Sequence, residues 1–467
     1  MFMLLFAMLG CDTNDDSADV VDTDTDTDTD TDTDIDTGDT GVDDTDIDIC
    51  DKAVPCVGGF KVTDSVDLAA IAQCETISDY LRIESQDQLS SIDLPCLTSV
   101  GGGLVVSENT TVANLDGLSS LTSITSGLYL EHNDALADLD GLSNLTFFSG
   151  DLYLVDNGAL PDLDGLSGID TVEHLHLEHN DTLQNIDGLS GVTSINGRLY
   201  IFGNDILPDL DGFSNLSFVG WTLNIEENTL LTNVDGLSSV TFVDTLRIFQ
   251  NAVLTNIDGL SNLATVDGNG AYIWNNEALA HIDGLSGLST VAHLSISNNT
   301  SLTNLDGLSN LTSADHVFIS DHDALANING LSGITTVWTM SVSNNKLLTD
   351  LDGLANLDSV VDLYIADNAA LVNLGGLLGV TSVFNLTIDD NDALQHLDGL
   401  ANIIDIDDLG IRYNDSLTTL DGLSSGITIG GLNISFNTAI CQSTVDAFVD
   451  SVTVNRTTTT TGNDDGC

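Results

Sequence analysis

The sequence predicts an all-β chain: a parallel β-solenoid of about sixteen turns, closed by a short C-terminal capping helix. Three observations predict it. First, the pattern Leu-x-Leu/Ile-x-x-Asn recurs in sixteen approximate copies between Leu81 and Asn437, as in Gly127-Leu-Tyr-Leu-Glu-His-Asn133 and Leu152-Tyr-Leu-Val-Asp-Asn157. Second, a landmark approximating Leu/Ile-Asp-Gly-Leu recurs between the copies, its fourteen glycines running from Gly117 to Gly422 at spacings of 23 to 25 residues. A unit of that size cannot bury its own apolar face and must stack on a neighbour. Third, no segment between strands carries the helical pattern that a βαβ crossover needs, so the strands pair in parallel and turns make the other sides.

The elements follow in chain order. Residues 1–11 read as a lipoprotein-type signal: Met1 to Gly10 is an apolar run too short to span a bilayer but of signal-core length, and it ends at Cys11. Met8-Leu-Gly-Cys11 resembles a bacterial lipobox, which implies Cys11 as the lipidation site. Residues 12–49 carry 17 acids and no base. Almost without apolar side chains and dense in like charge, they read as a disordered Asp/Thr-rich linker. Residues 50–100 hold Cys50, Cys56, Cys74 and Cys96 and form an N-terminal cap with the first turn. Residues 101–440 are the repeat solenoid. In 441–467, Ser443-Thr-Val-Asp446 reads as a capping box opening a helix with Val445, Phe448, Val449 and Val452 on one side, and Cys441–Cys467 ties down the tail. Beyond Cys11, an even six cysteines suit an oxidising compartment. Of the three pairings open to the first four, Cys50–Cys56 with Cys74–Cys96 is preferred, because the second pair is about one repeat apart.

Within the repeat, the strand puts two residues inward and one outward. The asparagine that follows recurs as Asn109, Asn133, Asn157, Asn180, Asn204, Asn228, Asn251, Asn276, Asn299, Asn345, Asn368, Asn391, Asn414 and Asn437, with His322 as the one break. An amide both donates and accepts, so this column reads as a structural ladder. In Asp-Gly, Asp is expected to cap a backbone N–H and Gly to take positive φ. Stacked Asp side chains repel unless water, cations or weakly bound calcium relieve them. No resident cofactor or metal is implied. A cluster of His132, Asp156 and His179 beside Glu131, His176 and Glu178 is the one place where a transition metal is conceivable.

Leu-x-Ile-x-x-Asn followed by Leu-x-x-Leu-x-Gly-Leu resembles the leucine-rich repeats of internalin-type bacterial surface proteins, and still more the receptor L-domain. Cys74, Leu81-Arg-Ile83 and Leu94-Pro-Cys96-Leu-Thr-Ser-Val100 fit the opening turn of that group. The resemblance covers residues 74–440 and implies a right-handed solenoid that serves recognition.

The chain carries 73 acidic against 8 basic residues, a formal charge of −65. Such a surface repels phosphate backbones, so nucleic acid is excluded as a partner. No phosphate loop, His-Glu-x-x-His or nucleophile elbow is present, and near-uniform repeats leave no long loops to wall a cleft; the chain reads as not an enzyme. The informative side chains are outward-facing aromatics. Tyr129, Tyr153, His176 and Tyr200, and later Tyr272, Phe318 and Tyr364, occupy the mid-strand position, and Phe202, Phe249 and Trp274 the next outward one. They form the candidate ligand-binding face. The sequence thus describes a lipid-anchored, extracytoplasmic recognition or adhesion scaffold at the outer membrane or cell surface, binding protein or glycan. The alternative is a purely structural surface spacer.

Overall fold

The computed structural model describes residues 50–86 and 88–467. Each turn begins with a strand such as Gly127–Glu131, in which Leu128 and Leu130 point inward and Tyr129 outward. Successive strands pair in parallel and in register: Leu128 with Leu152, Leu152 with Leu175, Leu175 with Leu199. Register is fixed because a one-residue slip would turn every leucine to solvent. The main sheet starts one strand before the repeats, at Phe60–Val62 on Leu81–Ile83, and ends one strand after them, at Thr458–Thr459 on Leu432 and Asn433.

In the N-terminal turns a second, shorter strand lies beyond a bend, as at Ser123–Ile124 and Phe147–Phe148. From Phe218 onward the two merge into single strands of 8 to 10 residues, such as Phe242–Phe249 and Thr265–Trp274. Columns of Leu, Ile and Val from every turn fill one continuous core. Every Asp-Gly-Leu from Asp116 to Leu400 is a three-residue 3-10 turn, for example Asp140–Leu142, whose leucine joins that core.

The chemistry of that corner differs from the sequence expectation. Asp140 does not cap; its own N–H donates to Oδ1 of Asp138, two residues earlier, and Asn114 serves Asp116 likewise. The corner glycine is not in the left-handed region. It is required by space: a Cβ on Gly141 would sit 1.8 Å from the Leu115 carbonyl oxygen of the turn below. The left-handed residue is instead the one before the ladder asparagine, as at His132 (φ 56°) and Asp156 (φ 56°). Gly203 supplies it once without the Cβ strain.

Both ends are covered. At the N-terminus an unforeseen helix, α1 (Ser65–Ile71), is capped by Asp64, whose Oδ1 accepts from the N–H groups of Val66 and Asp67. Leu68 and Ile71 of α1 lie in the core. At the other end, α2 (Gln442–Ser451) buries Val445 and Phe448. The expected capping box does not form: the helix starts after Cys441 without a side-chain cap, and Asp446 accepts instead from Gln442 Nε2.

Cys441 is bonded to Cys467. The N-terminal pairing is Cys50–Cys96 with Cys56–Cys74, which corrects the preferred pairing. The reason is register. Thr76 lies opposite Ser99, an offset one residue longer than the spacing of Cys74 and Cys96. Cys74 therefore does not face Cys96; its own strand, Cys74–Ile77, pairs in parallel with Val54–Cys56, and the Cα atoms of Cys56 and Cys74 are 5.5 Å apart. Cys11 and the 12–49 linker lie outside the described residues.

Candidate recognition face

The outward side of the main sheet positions the aromatic residues. Alternation along each strand leaves their Cβ atoms pointing away from the core, and in-register pairing stacks them one strand spacing apart. Tyr129 stacks on Tyr153 at 5.2 Å between ring centroids, Tyr153 on His176 at 4.1 Å, and His176 on Tyr200 at 4.9 Å. The result is a four-ring ladder across four strands. Its rings are half-buried by one another. Tyr129 donates to Asp151 Oδ2 (3.2 Å), and burial, with that carboxylate beside it, pushes its hydroxyl pKa up to about 12. His176 is paired through Nδ1 with Glu178, which is buried.

The ladder stops at the next turn, where Asn224 is buried and bonded to Glu226. Beyond it a second cluster forms. The Arg247 guanidinium lies 5.7 Å from the ring centroids of both Phe249 and Tyr272, and Phe249 stacks on Trp274 at 4.9 Å. Trp274 Nε1 donates to Ser295 Oγ (2.9 Å), and the Tyr272 hydroxyl donates to the Asn269 carbonyl (2.6 Å), so both rings are held in place. Phe202 stands apart from these rings and packs at 4.6 Å on His179. The candidate aromatics are therefore two patches, not one band.

Sequence reasoning missed the side chains that extend these patches. His293 stacks between Tyr272 and Phe318, at 5.3 and 5.1 Å, with His316 at 5.7 Å. Trp221, 51% exposed, has His174 against its edge and the Arg198 guanidinium 5.6 Å from its ring centroid. The signal was present: His174, Arg198, His293 and His316 sit two residues before the mid-strand position, on the same side of the alternation.

The conceivable metal cluster does not assemble. His132 pairs with Asp156 (2.6 Å), His176 turns to Glu178, and His179 faces Phe202. Among the described residues, no three His, Cys, Asp or Glu side chains gather as a metal site. Burial lowers the His179 pKa to about 4.

Behind the strands runs the asparagine column, fully buried. Each Nδ2 donates to a strand carbonyl of the turn below, and most Oδ1 atoms accept the N–H of the preceding ladder residue, while those of Asn157 and Asn180 accept from its Nδ2. Asn204, for example, donates to the Leu177 carbonyl (2.8 Å) and accepts from Asn180 N–H (3.1 Å). Ser85 begins the column and Asn463, not foreseen, ends it by accepting from Asn437 N–H.

Inward leucine pairs, a buried asparagine and a leucine-bearing 3-10 corner, repeated in parallel register, make this a parallel solenoid of leucine-rich-repeat form. No protein-family model matches this chain. No curated protein matches it either. Among solved structures, an internalin (InlF) from Listeria monocytogenes is similar at 14% identity over 77% of this chain and 87% of its own, with a TM-score of 0.28. The plant peptide hormone receptor RGFR1, solved with RGF2, matches at 13% identity over 86% and 89%, with a TM-score of 0.23. TLR13, solved with ssRNA13, matches at 13% identity over 83% and 79%, with a TM-score of 0.18.

Proposed function

We propose that this protein is an extracytoplasmic recognition or adhesion scaffold, anchored by lipid at Cys11, held off the membrane by its acidic linker, and binding a protein or glycan through the aromatic sheet face. One observation carries the reading. The ladder Tyr129–Tyr153–His176–Tyr200 and the cluster Arg247–Phe249–Tyr272–Trp274 lie on the outward side of a sheet whose core is filled from the other side. The sheet does not require large rings there. Tyr, Trp and Arg are the side chains that dominate binding energy at interfaces, because they offer large rigid area with a polar end. Three disulfides suit an oxidising, extracytoplasmic compartment, and none of the described helices is long and apolar enough to cross a membrane.

A second reading, a structural spacer without a ligand, is favoured by the stacking itself, since rings 4.1 to 5.2 Å apart stiffen a sheet. One experiment separates the two. Changing Tyr129, Tyr153 and Tyr200 together to serine should abolish adhesion to cells, a loss of at least about 2 kcal/mol, while circular dichroism stays native. Binding that survives the triple change removes the ladder as the site, and a chain that binds nothing beforehand is a spacer.

A further inference from the structure

The outward mid-strand column contains a single glycine, Gly410, between Thr387 and Asn433 on the neighbouring strands. Nothing in the fold asks for it. The backbone there is ordinary strand, and a Cβ would meet no atom closer than Arg412 Nε at 3.8 Å. Glycine weakens a strand interior and often marks close approach of a ligand. Its consequence here is room. With Gly431 on the next strand, it opens a basin of about 420 Å³ near the C-terminal end of the sheet face, within the size range of small-ligand sites.

The lining is chemically selective. Tyr364 forms one wall, 37% exposed, with Ser341 and Thr387 as its strand neighbours, so no ring stacks on it from either side. Arg412 is forked onto Asp389, and Asp408 is paired with Arg456 (2.7 Å). An anion finds the Arg412 guanidinium already engaged, and a cation finds Asp408 already neutralised. The charged groups of the lining itself, Arg412 and Asp408, balance one another, while Asp407 shares Arg456 and Asp362 lies behind Asn385. The two amides are oriented as well. Asn385 Nδ2 donates to Asp362 (2.6 Å), which leaves its oxygen as acceptor, and Asn433 Oδ1 accepts from Ser435 (2.6 Å), which leaves its nitrogen as donor.

A fixed set of donors and acceptors without net charge, beside one open aromatic face, matches a neutral, polyhydroxylated ring. We propose that this basin binds a neutral saccharide, with the sugar's C–H face on Tyr364 and its hydroxyls on Asn385, Asn433 and the two ion pairs. The site is separate from the aromatic ladder and does not depend on it.

The test is titration of the whole chain with short neutral gluco-, manno- and galacto-oligosaccharides. At least one should bind, with an affinity insensitive to salt. Gly410→Phe fills the basin and Tyr364→Ala removes its wall; each should weaken binding at least about tenfold with an unchanged melting temperature. Trp338→Ala, a change of an exposed ring outside the basin, should bind as the native chain does. If Gly410→Phe misfolds, the exposed Tyr364→Ala gives the same reading. The proposal is overturned if no neutral saccharide binds, if binding persists in a folded Gly410→Phe or in Tyr364→Ala, or if acidic saccharides bind more tightly than neutral ones.

Discussion

At the scale of single residues, His322 shows how exacting the asparagine column is. The ring replaces the amide in part: Nε2 bonds the Ile296 carbonyl (3.2 Å) and Nδ1 accepts the Asn299 N–H (3.3 Å). Nδ1 also lies 3.1 Å from the Asn299 carbonyl oxygen, so the ring engages both backbone groups of that residue, and burial lowers its pKa. What the ring lacks is a second donor on the side of the next turn. Asn345 Oδ1, which would accept from it, is buried without a partner. An unsatisfied buried acceptor costs about 1–3 kcal/mol, so His322→Asn should stabilise the chain by about 1 kcal/mol, read from urea unfolding. The variant should also lose part of the acid sensitivity. Because the folded pKa is lowered, the unfolded state takes up the proton first, and stability falls as pH drops below about 6.5. An unchanged urea midpoint in His322→Asn would show that the column tolerates the orphaned oxygen.

At the scale of elements, the corner and the strand make opposite demands on glycine. Gly141→Ala would drive a methyl into the Leu115 carbonyl, so it should cost about 1–3 kcal/mol, the usual range for overpacking. Gly410→Ala, in open space, should cost nothing measurable. Equal melting temperatures for the two variants would refute the steric account of the corner. The same contrast shows what the sequence could convey. The strand, the inward leucines and the asparagine ladder were legible because each repeats in every turn at a fixed offset. The corner was misread because Asp-Gly favours a tight turn with positive φ in isolation, whereas here contact with the turn below decides. That contact lies about one repeat away in sequence, where no local rule reaches. The N-terminal disulfides failed for a related reason, since a repeat-length argument blurs the single residue that sets which face a side chain takes. Helix α1 went unseen because it is short, although Asp64-Ser-Val-Asp67 carried its cap. The aromatic face was legible residue by residue, but its division at Asn224 and the basin at Gly410 were not. Both depend on which side chains are small, and absence leaves little trace in a pattern search.

For the whole molecule the governing quantity is charge. The linker 12–49 accounts for 17 of the 73 acids, so about −48 remains on a solenoid expected to be about 75 Å long at one strand spacing per turn. Self-repulsion is visible locally. Burial and then neighbouring aspartates raise the pKa of Asp138 and Asp164 along the corner column. Asp209 beside it, then burial, raises that of Asp211, and burial with Asp205 and Asp156 raises Asp181 to about 6. A carboxyl with a raised folded pKa takes up its proton in the native state first. Its penalty is fully present at neutral pH and is relieved as pH falls from about 7 through 6 toward 4. His179, lowered to about 4 by burial, works against this over the same range. Salt distinguishes the two contributions. Screening reaches over about 30 Å at 0.01 M salt but about 10 Å at 0.1 M, so repulsion among exposed carboxylates weakens with salt while histidine burial does not. At low salt the melting temperature should therefore rise on going from pH 7 to about pH 5.5. At high salt the rise should vanish or reverse, and at pH 7 sodium chloride alone should raise the melting temperature. Calcium at equal ionic strength should do little more than sodium if the corner aspartates are simply solvated. Saturable stabilisation by calcium at concentrations too low to screen, lost in Asp164→Asn and Asp211→Asn, would instead place ordered calcium along the Asp116–Asp421 column.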